Sequence, residues 1–381
     1  MTPPRRPPQN RTLRQAARTL RKGADRAVSR FVNGVDWWMR DPSQIVDRTP
    51  YTEVLHDLKL VVRRYLPLET TEEWELGTET LRVERRRYRT PVLLIPPLMV
   101  RPLIFDLVPD RSYVRTLLKE GYDVFLVDFG EPDKADECVT LNHYVLDWLP
   151  MAVDAVCRAS RSDDLSLIGY CMGGLFALMH TSVNEDPRVR NIVTIASPVD
   201  AHKMGIFAWV VRMGGDQLEF LSKRMGNLPG ELSSRAFKMV KPLKNVTRYA
   251  ELFLNLWNEE YVNGFDALNQ WTEHFLDYPG SAFRQFLNDF VKENKLKDGR
   301  MVFGDKVADL TRITCPLLAF VGADDVIVPP SAATEIVNLV SSTDKDLRLV
   351  PGGHMGVFAG RHAPEKVWRE SARWLARRSA E

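Results

Sequence analysis

A cysteine, a pair of aspartates and a histidine stand in this chain where a nucleophile, an acid and a base would be needed. Cys171 lies in Leu165-Ser-Leu-Ile-Gly-Tyr-Cys-Met-Gly-Gly174: a short apolar run, a Gly-x-Cys-x-Gly turn, then a helical stretch from about Met172. A sharp strand-to-helix turn of this kind lifts one side chain out of the chain's path and sets it at a helix N-terminus, where the dipole favours a thiolate. The glycines have a steric reason, since a side chain at Gly169 or Gly173 would collide with the neighbouring strand or helix. Taken alone, these residues fit a buried, inert cysteine as well as a nucleophile. The partners decide.

Two later segments supply them in the order nucleophile, acid, histidine. Gly322-Ala-Asp-Asp-Val-Ile-Val-Pro329 follows the apolar run Pro316–Val321, and Pro351-Gly-Gly-His354 follows Leu347–Val350. Each candidate then sits after a predicted strand, on the same sheet edge as Cys171, the edge at which open α/β sheets hold their sites. His354 can take the thiol proton or pair with the thiolate, and a carboxylate fixes its tautomer. Asp325 is the expected acid and Asp324 the turn former before Pro329, with the reverse assignment as the alternative. The other histidines fall on predicted helices or in cap and surface segments and read as structural. The expected oxyanion donors are backbone N–H groups, that of Met172 and one from the loop after Pro91–Ile95, near Leu98. Gly174 reads as a packing glycine.

The elements that must position these residues alternate along the chain. Pro91–Ile95, Asp123–Phe129, Leu165–Tyr170, Asn191–Ala196, Cys315–Val321 and Asp346–Val350 read as strands, with Pro91–Ile95, Leu165–Tyr170 and Asn191–Ala196 buried. Helices are expected from Asp110 (as cap) to Gly121, over Leu141–Arg158, after Cys171, from Pro330, and from Pro364 to about Arg378. This is the α/β-hydrolase pattern, a mostly parallel sheet with helices on both faces. Between Asp200 and Thr311 the alternation stops and Trp, Phe, Leu and Met recur at helical spacing, as in Tyr249–Leu256 and Phe275–Val291. That reads as a helical cap, where substrate choice and water access are set. The expected organisation is a basic N-terminal segment (1–35), a helical region (36–78) that includes Trp37, Trp38 and Tyr51–Leu66, core (79–200), cap (201–311) and core (312–381).

Composition narrows the class. At 381 residues with 44% apolar and 27% charged residues, the chain fits a soluble α/β core plus an insertion. Four scattered cysteines argue against a disulfide framework or a zinc site and for a reducing compartment. No apolar run approaches a membrane span, and no signal-peptide core stands at the N-terminus. Residues 1–30 carry nine basic residues and one acid, although the whole chain is only +2. Leu13, Ala17, Leu20, Ala24, Val28 and Phe31 give this tail a helical stripe ringed by arginines, suited to an anionic or apolar surface or to docking on protein. Nothing else forms a basic face with stacking aromatics, so nucleic acid is not an expected partner.

The resemblance carried by these residues is specific. Arg101-Pro-Leu-Ile-Phe-Asp-Leu-Val-Pro-Asp-Arg-Ser112, Val127-Asp-Phe-Gly130, Gly169-Tyr-Cys-Met-Gly-Gly174, Asp325-Val-Ile-Val-Pro329 and Gly352-Gly-His354 together resemble the polyhydroxyalkanoate synthases. The likeness covers roughly residues 90–200 and 275–360. It implies a Cys171, Asp325, His354 triad that polymerises (R)-3-hydroxyacyl-CoA into polyester and releases CoA, with the thioester as substrate and no cofactor or metal. The short N-terminal region is most similar to the catalytic subunit of class III enzymes. That implies an accessory subunit, a homo-oligomer, and a cytoplasmic location at the polymer granule surface. The basic N-terminus and much of the cap depart from that subunit. Two alternatives share the residues: a thioesterase, esterase or intracellular depolymerase if water is admitted, and a non-catalytic surface tether.

Overall fold

The computed structural model describes residues 49–66, 70–76, 79–108, 111–239, 255 and 258–379. Eight strands form one sheet: β1 (Thr52–Asp57), β2 (Leu60–Tyr65), β3 (Val92–Ile95), β4 (Val124–Asp128), β5 (Leu165–Tyr170), β6 (Val189–Ile195), β7 (Leu317–Gly322) and β8 (Lys345–Val350), in the order β1-β2-β4-β3-β5-β6-β7-β8. From β4 to β8 all neighbours are parallel, and β2 runs antiparallel to both β1 and β4. The central strands are continuous apolar runs because both faces are covered. Val92, Leu93, Leu94 and Ile95 have no exposed surface.

Alternation along each strand divides the core in two. One face carries Leu93, Phe125, Leu167, Ile192 and Ala319, packed with α2 (Leu149–Ser160) and α3 (Met172–Asn184). The other carries Leu94, Leu126, Ile168, Val193 and Phe320, packed with α1 (Tyr113–Lys119) and with Trp374 and Leu375 of the C-terminal helix (Arg369–Ala376). Each fully buried Leu, Ile, Val or Phe contributes about 1.5–3 kcal/mol. The elbow strand β5 lies between β3 and β6, with β7 and β8 beyond it on the His354 side.

The sheet differs from the sequence reading at its beginning. Tyr51–Leu66 is not helical but forms the β1–β2 hairpin, and Glu72–Leu76 pairs with Glu79–Val83 in a second hairpin. The main sheet therefore begins at Thr52, not near Thr80. The two outermost strands on this side carry weak patterns: the edge strand β1 is largely exposed, and in its neighbour β2 the buried Leu60, Val62 and Tyr65 are interrupted by Arg63 and Arg64. Pairing with β4 settles the conformation. Arg64 donates two hydrogen bonds to the wholly buried Asp123 (3.0 and 2.8 Å), and Arg63 bonds Asp128 at 2.6 Å.

Helix α1 starts later than expected. Ser112, not Asp110, is its N-cap, accepting from the Arg115 amide at 2.9 Å; Asp110 lies outside the described residues. The described residues between β6 and β7 include α4 (Gly205–Met225), α5 (Gly230–Met239), α6 (Glu259–Glu273), α7 (Gly280–Gln285) and a π-helical turn over Phe286–Lys292. It also contains a hairpin, Met301–Phe303 with Lys306–Ala308, so it is not wholly helical as expected. The basic N-terminal segment, Trp37, Trp38 and all of Tyr249–Leu256 except Asn255 lie outside the described residues. No helix among the described residues is long and apolar enough to cross a membrane.

Candidate active site

The turn after β5 holds Cys171 at φ 52°, ψ −117°, a conformation that costs a non-glycine residue roughly 1–3 kcal/mol. Its surroundings leave no alternative. The Cys171 amide donates to Ile195 O at 2.8 Å, and its own carbonyl accepts from Gly174 N at 3.1 Å. A Cβ on Gly169 would stand 2.3 Å from Gly173 O, and one on Gly173 would stand 2.0 Å from Ile95 O. The elbow crosses β3 and β5 at backbone contact, which requires glycine at both positions. At Gly174 a Cβ would meet Ser197 Oγ at 2.0 Å, in line with a packing role.

Asp325 and His354 come from the next two loops along the same sheet edge. Ala323 N donates to Val350 O at 2.8 Å and Asp324 N to Gly352 O at 3.0 Å, stitching the loop after β7 to the loop after β8. Asp325 has a wholly buried side chain: Oδ1 accepts from the amides of Ile327 and Val328, both at 2.9 Å, while Oδ2 lies 2.8 Å from His354 Nδ1. Asp324 is exposed on the turn. Of the two aspartates, the structure brings Asp325 to the histidine.

His354 opens α8 (His354–Ala359), and its side chain is 10% exposed. Burial disfavours a charged imidazole. The neighbouring Cys171 and the Asp325 carboxylate, through charge and hydrogen bonding, outweigh that cost and push His354 up to about 10. The imidazole thus stands between the sulfur and a buried carboxylate, where it can carry a proton. Burial pushes the thiols of Cys157 and Cys315 up to about 11.

The helix start at Met172 abuts the end of β3, from which the loop containing Leu98 departs. The Met172 and Leu98 amides donate to no backbone acceptor outside helices and strands among the described residues. Beside that loop runs a cleft lined by Pro96–Val100, Pro102, Asp128–Gly130, Pro132, Tyr144, Leu276, Asp277 and Pro279. The insertion reaches over it: Leu276 N donates to Met99 O at 2.7 Å and Trp271 Nε1 to Arg101 O at 2.9 Å.

Two tyrosines at the site escape sequence reasoning. The Tyr170 ring lies 5.4 Å from that of His354, tilted by 31°, and its hydroxyl donates to His354 O at 3.1 Å. Tyr278, from the insertion, is 2% exposed and donates to Met172 Sδ at 3.4 Å. Tyr170 occupies the free position of Gly-x-Cys, and no motif marks Tyr278. Among the described residues no group of His, Cys, Asp and Glu is arranged to hold a metal ion.

Comparison with known proteins places the chain in a family. The α/β hydrolase fold family matches residues 106–360. The subunit PhaC of a poly(3-hydroxyalkanoate) polymerase from Allochromatium vinosum is 35% identical over 291 residues, 76% of this chain and 81% of that protein. The corresponding PhaC subunit of Haloferax mediterranei is 34% identical over 339 residues, 88% of this chain; the match spans 65% of that protein's length. Among solved structures, BpoC of Mycobacterium tuberculosis superposes with a TM-score of 0.50 at 16% identity, over 86% of this chain and all of that one, a likeness of fold alone. The chain belongs to the α/β hydrolase fold family and, within it, to the PhaC subunits of poly(3-hydroxyalkanoate) polymerases.

Proposed function

We propose that this chain joins (R)-3-hydroxyacyl units from CoA thioesters into polyester, with Cys171 carrying the acyl chain, His354 moving the proton and Asp325 holding His354. The observation that supports this most is the relay itself: a cysteine on a strained elbow beside an imidazole bonded at 2.8 Å to a buried carboxylate, in a chain of the PhaC family.

The Cys171 thiolate attacks the thioester carbonyl, and the oxyanion rests on the amides of Met172 and Leu98. Collapse breaks the C–S bond to CoA, and the departing CoA sulfur takes the His354 proton. The 3-hydroxyl of a second unit, or of the growing chain, then gives its proton to His354 and attacks the acyl carbon. An ester bond forms and the Cys171 thiolate is released. Exchange between thioesters is nearly isoenergetic, and the acyl-sulfur bond stays reactive toward an alcohol provided water is kept away. The cycle uses no cofactor. Family likeness supports work in the cytoplasm at the granule surface, self-association and an accessory subunit of the class III kind.

CoA release from (R)-3-hydroxybutyryl-CoA, with the product sized, tests this for wild type and Cys171→Ala. High-mass polyester with CoA release, both lost in the variant, is the expected result. Free hydroxy acid as the sole product would make the chain a thioesterase.

A further inference from the structure

We propose that Asp200 is a positioning residue that fastens both roots of the insertion to the element following Asp325, and that this fastening keeps water from the acyl chain on Cys171. The proposal rests on the transferase reading above. The insertion leaves the sheet after β6, and the π-helical turn that closes its main helical part ends at Lys292. Asp200 stands at the first root and is 1% exposed; Asn294, at the second, is 4% exposed with φ 53°.

The two side chains lock across 94 residues of sequence. Asn294 Nδ2 donates to Asp200 Oδ1 at 2.9 Å, and Asn294 Oδ1 accepts from the Ala201 amide at 2.8 Å. The other carboxylate oxygen lies 3.2 Å from both Lys203 Nζ and Lys297 Nζ, one from each root. The knot is also tied to the acid loop. The amides of Val199 and Asp200 both donate to Ala332 O, at 2.9 and 3.0 Å, in the helical turn Pro330–Ala333 that follows Asp325.

A buried carboxylate is an expensive fastener, and stability alone is as well served by apolar packing. Its advantage is geometric. One anion reads an amide and two ammonium groups from two chain segments, so it is satisfied only when both roots are seated. With one root lifted, the charge is left buried and underpaired. A loosened insertion admits water. Water attacking the acyl carbon breaks the C–S bond, frees a hydroxy acid and returns a proton to the Cys171 sulfur.

The test compares wild type, Asp200→Asn and the exchange Asp200→Asn/Asn294→Asp, which rebuilds an amide–carboxylate pair with its direction reversed. Free hydroxy acid per CoA released is expected to rise at least about tenfold in Asp200→Asn, the factor carried by one charge-assisted hydrogen bond. The exchange variant should bring it back down. An unchanged ratio in folded Asp200→Asn overturns the proposal, as does failure of the exchange to reverse a rise. Amide hydrogen exchange supplies a readout independent of product: the amides of Ala201 and Asn294 should open faster in Asp200→Asn while those of β5 stay protected. If wild type makes no polymer, the transferase reading fails. The exchange data then decide the fastening alone, and equal opening in both proteins overturns it. If Asp200→Asn does not fold, Lys297→Ala, at a partly exposed partner, takes its place with a smaller change in the same direction.

Discussion

Replacing Asp325 by asparagine tests the relay with a change of one atom. In the native site Asp325 accepts from three donors: two backbone amides on Oδ1 and His354 Nδ1 on Oδ2. Asparagine has a single acceptor oxygen. The two amides are fixed by the turn, so they retain that oxygen and the new NH₂ faces His354. It can only donate there, which forces Nδ1 to accept and puts the ring proton on Nε2, the nitrogen that must take protons from sulfur or alcohol. A wrong-tautomer histidine of this kind costs about 10⁴-fold in turnover where the same exchange has been made in a serine triad. That factor corresponds to about 5.5 kcal/mol of barrier. The assay is steady-state CoA release across pH, with Asp324→Asn as control because that side chain is exposed on the turn. Loss of the carboxylate also removes one of the interactions that raise His354, so the alkaline limb of the residual activity should move to lower pH. A loss smaller than about tenfold in Asp325→Asn would refute the reasoning. So would an equal loss in Asp324→Asn.

Other substitutions read other parts of the argument. Cys171→Ser, which removes the sulfur, should lower the His354 pKa seen by NMR, because Cys171 is the largest influence raising it. The same raised pKa makes the contribution of protonated His354 to stability full below about pH 6.5 and lost as pH rises toward about 10, so the wild-type melting temperature should fall over that window more than that of Cys171→Ser. Gly173→Ala should abolish the folded elbow, since its Cβ would lie 2.0 Å from the backbone oxygen of Ile95 and neither strand nor helix can move away; soluble yield and circular dichroism report it. Arg64→Ala leaves the wholly buried Asp123 with only Arg86, at 3.5 Å, and should destabilise the chain by about 3–5 kcal/mol in urea unfolding.

The site was largely legible in the sequence because its parts are local. Gly169-Tyr-Cys-Met-Gly173 encodes its own strand, turn and helix, and Asp325 and His354 each follow an apolar run closely enough for the sheet edge to be inferred. What escaped depends on distant partners. The hairpin β1–β2 has too few buried positions for a period to emerge, and its conformation is decided by the Arg64–Asp123 and Arg63–Asp128 contacts, more than fifty residues away in sequence. Tyr278 and the Asp200–Asn294 lock are side-chain meetings across the insertion, and no spacing rule reaches that far. The onset of α1 was misplaced by two residues because Asp110 and Ser112 are both good caps; the contact to the Arg115 amide distinguishes them.

The role proposed for Cys171 has a consequence for how the protein ages. Oxidants attack thiolates, and the two cysteines with pKa values near 11 are protonated and therefore slow to react. Cys171 is only partly buried and stands beside His354, which can take its proton. On the acyl-transfer reading, the readiness of its sulfur to accept an acyl group between turnovers is equally a readiness to become a sulfenic acid. While it carries a chain, the same sulfur is held in a thioester. An enzyme busy with polymer would thus be protected by its own intermediate, and one starved of substrate would be the form at risk.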